Sequence, residues 1–178
     1  MGGMHASLPL ETNVAERKER IVIVLDRLRS AYNVGNIFRI AEAVGAAEIL
    51  CCGYTVFPPH PKLEKTAMGA DKSVPFRHFD TSLDAVRALR REGVKRILAV
   101  ETVPGAPDVW DVSFEFPLAL IFGNEALGVH PETLKEVDGA VSLPMFGMKT
   151  SINVGNCAAV ALYSAVAAIR AAEKKEKR

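Results

Sequence analysis

The amino-acid sequence predicts an α/β protein: one parallel β-sheet with helices on both faces. Short apolar runs rich in β-branched residues alternate with helical patterns along nearly all of the 178 residues. Those runs are unbroken rather than alternating, as strands buried on both faces are. No internal repeat and no linker interrupts the pattern, so residues 21–173 read as one domain, with an N-terminal arm over 1–20 and a charged tail over 174–178. A chain of this length buries a substantial core.

Ile21-Val-Ile-Val-Leu25 is the first strand. A helix is expected from about Val34 to Val44, because Val34, Ile37, Phe38, Ala41 and Val44 fall on one stripe and Gly45 supplies a stop. Glu48–Cys52 is a second strand. A looser stretch with Pro58, Pro59 and Pro61 follows, then a short helix near Leu63–Met68. Val74–Phe79 reads as a short strand, and Pro75 puts it at an edge or delays its start. Thr81-Ser-Leu-Asp84 matches a capping box for a helix running to Glu92 and stopping at Gly93. Arg96–Val100 and Pro117–Phe122 are two more buried strands, joined through the loop Pro104-Gly-Ala-Pro107. Pro131 opens a short helix through Glu136. Val141–Leu143 is a last short strand, and an alanine-rich pattern makes the longest helix from Ser151 to about Glu173.

Composition narrows the class further. Hydrophobic residues make up 49% and charged residues 24%, ordinary for a globular protein. No apolar run approaches the roughly 20 residues a bilayer crossing needs, and the N-terminus lacks a secretory pattern, so no membrane partner is expected. Cys51, Cys52 and Cys157 form neither a CxxC pair nor an even disulfide framework, which suits a reducing cytoplasm. The net charge of +1 argues against a broad nucleic-acid surface and, taken alone, favours a small-molecule enzyme.

Three segments carry the chemistry: Asn33-Val-Gly-Asn-Ile-Phe-Arg39, Phe122-Gly-Asn-Glu-Ala-Leu-Gly128, and Leu143-Pro-Met-Phe-Gly-Met-Lys-Thr-Ser-Ile-Asn-Val154. Each follows a strand and leads into a helix. In a parallel sheet all three emerge at one edge, outside the carboxyl ends of the strands, where open α/β sheets bind ligands. Singly, each has a plain structural reading. Asn33 reads as an N-cap, Arg39 as a solvated charge, and Gly123–Gly128 as a glycine turn bearing an exposed acid. Ser151 reads as the cap of the long helix, with Asn153 in its first turn. Leu143–Thr150 fits less easily. It keeps two methionines and a phenylalanine in a loop longer than the connection needs, as the wall of an apolar pocket would. No Gly-Lys-Ser/Thr phosphate loop, GxGxxG fingerprint or GxSxG elbow is present, and the four histidines lack metal-ligand spacing, so no metal is expected. The basic run Arg87–Arg96 matches a helix end and its dipole.

In this order the three segments resemble the signature of the SpoU (TrmH-like) family of SPOUT methyltransferases, over roughly residues 20–170. The resemblance implies a C-terminal deep trefoil knot, the α/β knot, which no general rule of chain topology would predict. It implies S-adenosylmethionine as cofactor, bent in a pocket lined largely through backbone by Thr102, Gly123, Leu143 and Ile152. Asn33, Arg39, Glu125, Ser151 and Asn153 match the family's active-site polar residues. It further implies a homodimer that binds RNA across both subunits and methylates ribose 2′-hydroxyls. The expected substrate is tRNA, ahead of ribosomal RNA; an RNA-binding module without turnover is the alternative. The resemblance makes Arg39 a base, but a guanidinium with a pKa above ~12 keeps its proton. Phosphate binding that lowers the hydroxyl's pKa is the sounder role. Gly155 and Asn156 stand where small or hydroxyl residues are more usual, and the chain carries little beyond the core domain.

Overall fold

Every residue of Ile21–Asp26 is buried, and this strand, β1, is the centre from which the sheet grows. The computed structural model describes residues 20–177, so the N-terminal arm lies outside the described residues apart from Arg20. In chain order β1 is followed by α1 (Ala31–Val44), β2 (Glu48–Cys52), α2 (Pro61–Ala67), α3 (Ala70–Ser73), β3 (Phe76–Phe79), α4 (Ser82–Arg91) and β4 (Arg96–Val100). Then come β5 (Leu118–Phe122), α5 (Pro131–Glu136), β6 (Gly139–Val141) and α6 (Val154–Glu176).

The six strands lie in the order β3-β2-β1-β5-β4-β6, and every neighbouring pair is parallel. Alternate residues of each strand point to opposite faces, which splits the core into two layers. Ile21, Ile23, Leu25, Leu118, Leu120 and Phe122 pack with Phe38, Ala41, Ala158 and Leu162 under α1 and α6. Val22, Val24, Ala119 and Ile121 pack with Val86 and Leu89 of α4 on the other side. The predicted parallel sheet covered on both faces is therefore what forms. β3 is an edge strand, as Pro75 implied.

The differences from expectation that bear on the site lie at α1, α6 and β6. The cap of α1 is Ser30, whose hydroxyl accepts from the Asn33 amide at 3.2 Å, so the helix begins three residues before Val34. Asn33 is thus not the cap, and its side chain is free for other bonds. At α6 the cap is Asn153, not Ser151: its Oδ1 accepts from Gly155 N at 2.9 Å and Asn156 N at 3.3 Å. That helix runs on to Glu176, absorbing most of the expected tail. The last strand ends at Val141 because Ser142 turns away to pair with a loop, donating to Pro107 O and accepting from Val109 N. The short α3 had no counterpart in the sequence pattern.

By length and composition α6 meets what a bilayer crossing needs, contrary to the expectation that no segment would. Its stripe Gly155, Ala158, Ala161, Leu162, Ala165 is nonetheless buried within the core. Small residues let it lie close against α1. A Cβ on Gly155 would come within 2.6 Å of Asn36 Nδ2 on α1, which shows how tightly the first turn of α6 is seated there.

Candidate functional site

Because all strands are parallel, the carboxyl ends of β1, β5, β4 and β6 share one edge, and a cavity of about 750 Å³ opens there. Its wall combines Val100, Phe122, Leu143, Met145, Ile152 and Val154 with Thr102, Gly123, Asn124, Glu125, Ser151 and Asn153. That mixture of apolar surface and a few convergent polar groups is what a cofactor-sized ligand requires.

The β5–α5 loop is built by its own polar groups. Asn124, nearly fully buried, accepts through Oδ1 from the amides of Ala126 and Leu127, both at 2.9 Å. Its Nδ2 donates to Arg27 O at 2.7 Å and to the Tyr54 hydroxyl at 2.8 Å. Asn124 and Gly128 also exchange backbone bonds, closing the turn. Gly123 allows that closure, since a Cβ there would collide with the backbone at Val129 N and Gly128 C. Beneath the loop, buried Asp26 accepts from the His130 amide at 2.7 Å and pairs with Arg27, whose guanidinium also donates to Gly128 O.

Glu125 reaches from this loop to the first turn of α1. Its carboxylate accepts from Arg29 N at 2.9 Å, Ser30 N at 3.1 Å and Asn33 Nδ2 at 3.1 Å. Burial alone would raise its pKa, but the hydrogen bonds from backbone amides and Asn33 outweigh that and hold the carboxyl below its ordinary value. Asn33 Oδ1 in turn accepts from Asn153 Nδ2 at 3.0 Å. The three motifs, far apart in sequence, are therefore joined by one chain: Glu125, Asn33, Asn153. The amide of Asn33 faces an acceptor on one side and a donor on the other.

Of the residues expected to hold a cofactor, Thr102, Gly123, Leu143 and Ile152 all line the cavity, as do Glu125, Ser151 and Asn153. Asn33 reaches it through its two bonds. Arg39 does not: it is exposed on α1, lies outside the cavity wall, and its side chain makes no hydrogen bond among the described residues. The expectation that the loop's methionines and phenylalanine together form an apolar wall is corrected in part. Met145 faces the cavity, whereas Phe146 and Met148 are fully exposed. No group of residues suited to a metal ion occurs among the described residues.

Sequence reasoning passed over Asp26, Arg27, Asn124 and Glu101. Only Asp26 left a usable signal, an acid closing an otherwise wholly apolar strand. The roles of the others depend on partners about 30 to 100 residues away, such as Val129 N for Glu101.

A parallel α/β sheet with a cofactor-sized cavity at its carboxyl edge, rimmed by an Asn-Glu-Asn polar chain, defines the class. Its family is narrower: the chain belongs to the SpoU rRNA Methylase family, whose model matches residues 20–163. It is 32% identical over 153 residues to the 23S rRNA (uridine(2479)-2′-O)-methyltransferase of Streptomyces viridochromogenes, covering 84% of this chain and 53% of that enzyme. It is also 32% identical over 158 residues to the tRNA (guanosine(18)-2′-O)-methyltransferase of Thermus thermophilus, covering 88% and 79%. Among solved structures, the SpoU methyltransferase AviRb from S. viridochromogenes in complex with the cofactor AdoMet superposes with a TM-score of 0.76 at 32% identity, over 85% of this chain and 58% of that one. The chain thus spans about half the length of the first relative and about four fifths of the second.

Proposed function

We propose that this protein transfers a methyl group from S-adenosylmethionine to a ribose 2′-hydroxyl of RNA, with tRNA as substrate. The observation that carries the reading is the Glu125–Asn33–Asn153 chain at the rim of the cavity, with named relatives that perform 2′-O-methylation of tRNA and of 23S rRNA. The cavity fits the cofactor: Leu143, Met145 and Ile152 offer apolar surface for an adenine, and Gly123 and Asn124 bring backbone close. When bound, the cofactor supplies an electrophilic methyl carbon.

This chain's residues contribute position and charge. Methyl transfer is an in-line displacement, so much of the acceleration comes from holding the hydroxyl on line. Asn33 and Asn153, each fixed by a bond to the other, stand at the rim where a ribose must enter, and Ser151 lies beside them in the same wall. Glu125 orients Asn33 and carries no proton to give. Arg39, exposed and unpaired among the described residues, offers a permanent cation to a phosphate next to the target ribose, stabilising the developing alkoxide.

Two further features belong to this reading. The C-terminal third forms the family's deep trefoil knot; support comes from α6, which leaves the β6 edge of the sheet and packs back on α1. The working unit is a homodimer; support comes from the exposed Trp110 and Tyr163, which line one surface depression, and from Phe146 and Met148, bare on the β6–α6 loop. Labelled methyl transfer to unmodified tRNA and rRNA transcripts, with mapping of the modified ribose, tests the assignment. We expect tRNA to be labelled at one 2′-oxygen. Labelling of a base, of rRNA alone or of neither overturns it. Arg39→Ala is expected to lose turnover while cofactor binding persists; methylation at the normal rate by that variant removes Arg39 from the mechanism.

A further inference from the structure

Among the described residues, Glu101 is the one charged side chain of the cavity wall whose charge nothing answers. Acids and bases are unevenly placed around this cavity: Glu101 and Glu125 line it, and among the described residues no Lys, Arg or His does. Glu125 is turned toward α1 and satisfied by three donors. Glu101 differs. It follows β4 directly, its backbone N–H held by Val141 O at 3.0 Å, and its Oε2 accepts from Val129 N at 2.9 Å. Its Oε1 accepts nothing among the described residues.

The surroundings are poor in compensating charge. The neighbouring Cys157 thiol is pushed up to about 11 by burial, with the Glu101 charge adding to it, so no thiolate competes there. Arg27, which touches the same loop at Gly128 O, is already paired with Asp26. A carboxylate with a free oxygen beside Val100, Phe122 and Cys157 sits where Coulomb interactions are less screened than in water.

We propose that Glu101 recognises the positive charge of the sulfonium cofactor and thereby makes the cavity prefer the methyl donor over its uncharged thioether product. The inference rests on the cofactor reading above and deepens it. Transfer removes the very charge that Glu101 faces. The C–S bond breaks with its electron pair left on sulfur, the O–CH₃ bond forms, and the hydroxyl proton passes to solvent water. Product then loses an attraction that substrate had, which favours exchange of one for the other.

Glu101→Gln is nearly isosteric, and its amide oxygen still accepts from Val129 N. Isothermal titration of purified protein with S-adenosylmethionine, the non-transferring cationic analogue sinefungin, and S-adenosylhomocysteine reads the effect without turnover. We expect Glu101→Gln to weaken both cations about tenfold, equivalent to about 1.4 kcal/mol, and to change S-adenosylhomocysteine less than about twofold. Glu101→Asp, which keeps the charge, retains the preference and keeps the test usable if the Gln variant folds poorly. Equal weakening of all three ligands means a contact to the shared adenosine or amino-acid part and overturns the proposal, as does an unchanged ratio in Glu101→Gln or a lost preference in Glu101→Asp. Wild-type protein that binds none of the three sinks the cofactor reading itself, an outcome distinct from failure of Glu101 alone.

Discussion

The two loops that close the cavity are made on opposite plans. The β5–α5 loop, residues 123–130, ties its polar groups to one another and to β1: the Asn124 side chain alone makes four bonds, and the Glu125 carboxylate accepts three. The β6–α6 loop is anchored at Ser142 and Asn153, while residues 143–152 between them make no hydrogen bond among the described residues and leave Phe146 and Met148 bare. One wall is organised before any ligand arrives. The other keeps backbone donors and apolar surface unspent, and it gains order from whatever binds against it. The proposed methyl transfer needs both, a fixed frame for the reacting atoms and a yielding side for entry and exit.

The largest effect that separates the plans comes from adding one methyl group to each loop. In Gly123→Ala the new Cβ meets backbone at Val129 N and Gly128 C, which cannot swing aside as a side chain can. We expect a loss of about 3 kcal/mol in urea unfolding and cofactor affinity reduced at least about 100-fold. In Gly147→Ala the Cβ meets nothing within 4 Å, and stability should stay within about 0.5 kcal/mol of wild type. Similar losses from both substitutions would mean that the second loop is as rigidly framed as the first.

Next in size is the connection between the loops. Asn33→Ala removes one donor from Glu125 and leaves Asn153 Nδ2 without its acceptor, at a site open to solvent. Stability should fall by about 1 kcal/mol or less. Turnover should fall about 100-fold, since the groups that aim the ribose lose their mutual constraint. Cofactor affinity should move by less than about threefold, because the cavity wall itself is untouched. A binding loss as large as the rate loss would place Asn33 in the cofactor wall rather than at its rim.

This contrast also explains what was legible before the fold was known. The strands were readable because burial on both faces demands unbroken apolar runs, and Ile21–Leu25 or Leu118–Phe122 leave no other reading. The glycine turn at 123–128 and its acid were readable for the same local reason: a tight loop advertises itself in composition. The α1 cap was misplaced by one turn because Ser30 and Asn33 are both good caps and only the chain's entry path selects between them. At α6 the choice between Ser151 and Asn153 failed in the same way. β6 slipped by two residues because its end is set by Pro107 and Val109, more than 30 residues upstream. Glu101 and Asp26 went unnoticed since their partners, Val129 N and His130 N, lie far along the chain. Local chemistry announces the frame of the site; the long-range bonds that tension it do not show until the chain is folded.

Acid titration probes the organised loop more gently. The Glu125 carboxyl has a folded pKa below its unfolded value of about 4.3. Its contribution to stability is therefore complete above that unfolded value and is lost as pH falls through the folded one. Glu125→Gln should flatten this part of the acid limb in unfolding measured from pH 6 downward. Solvent reaches the group, so the difference should be about 0.5 kcal/mol or less. A variant whose stability falls with acid as steeply as the wild type would mean that other carboxylates govern that range.

The smallest effect on the chain itself is expected where the second loop is most exposed. Phe146 and Met148 contact solvent over essentially their whole side chains, so replacing both by Ser removes no buried surface. Unfolding of the isolated chain should change by about 0.5 kcal/mol or less. If these side chains meet a second copy, the same double substitution should shift sedimentation equilibrium toward monomer, because apolar area hidden only in the dimer contributes about 25 cal/mol per Å² there. The two readouts then move apart, a stable chain and a weakened association, which no intramolecular role for the loop can produce. An unshifted monomer–dimer equilibrium would assign the bare residues to contact with RNA or cofactor instead, leaving the unspent bonds of residues 143–152 to be satisfied from that side.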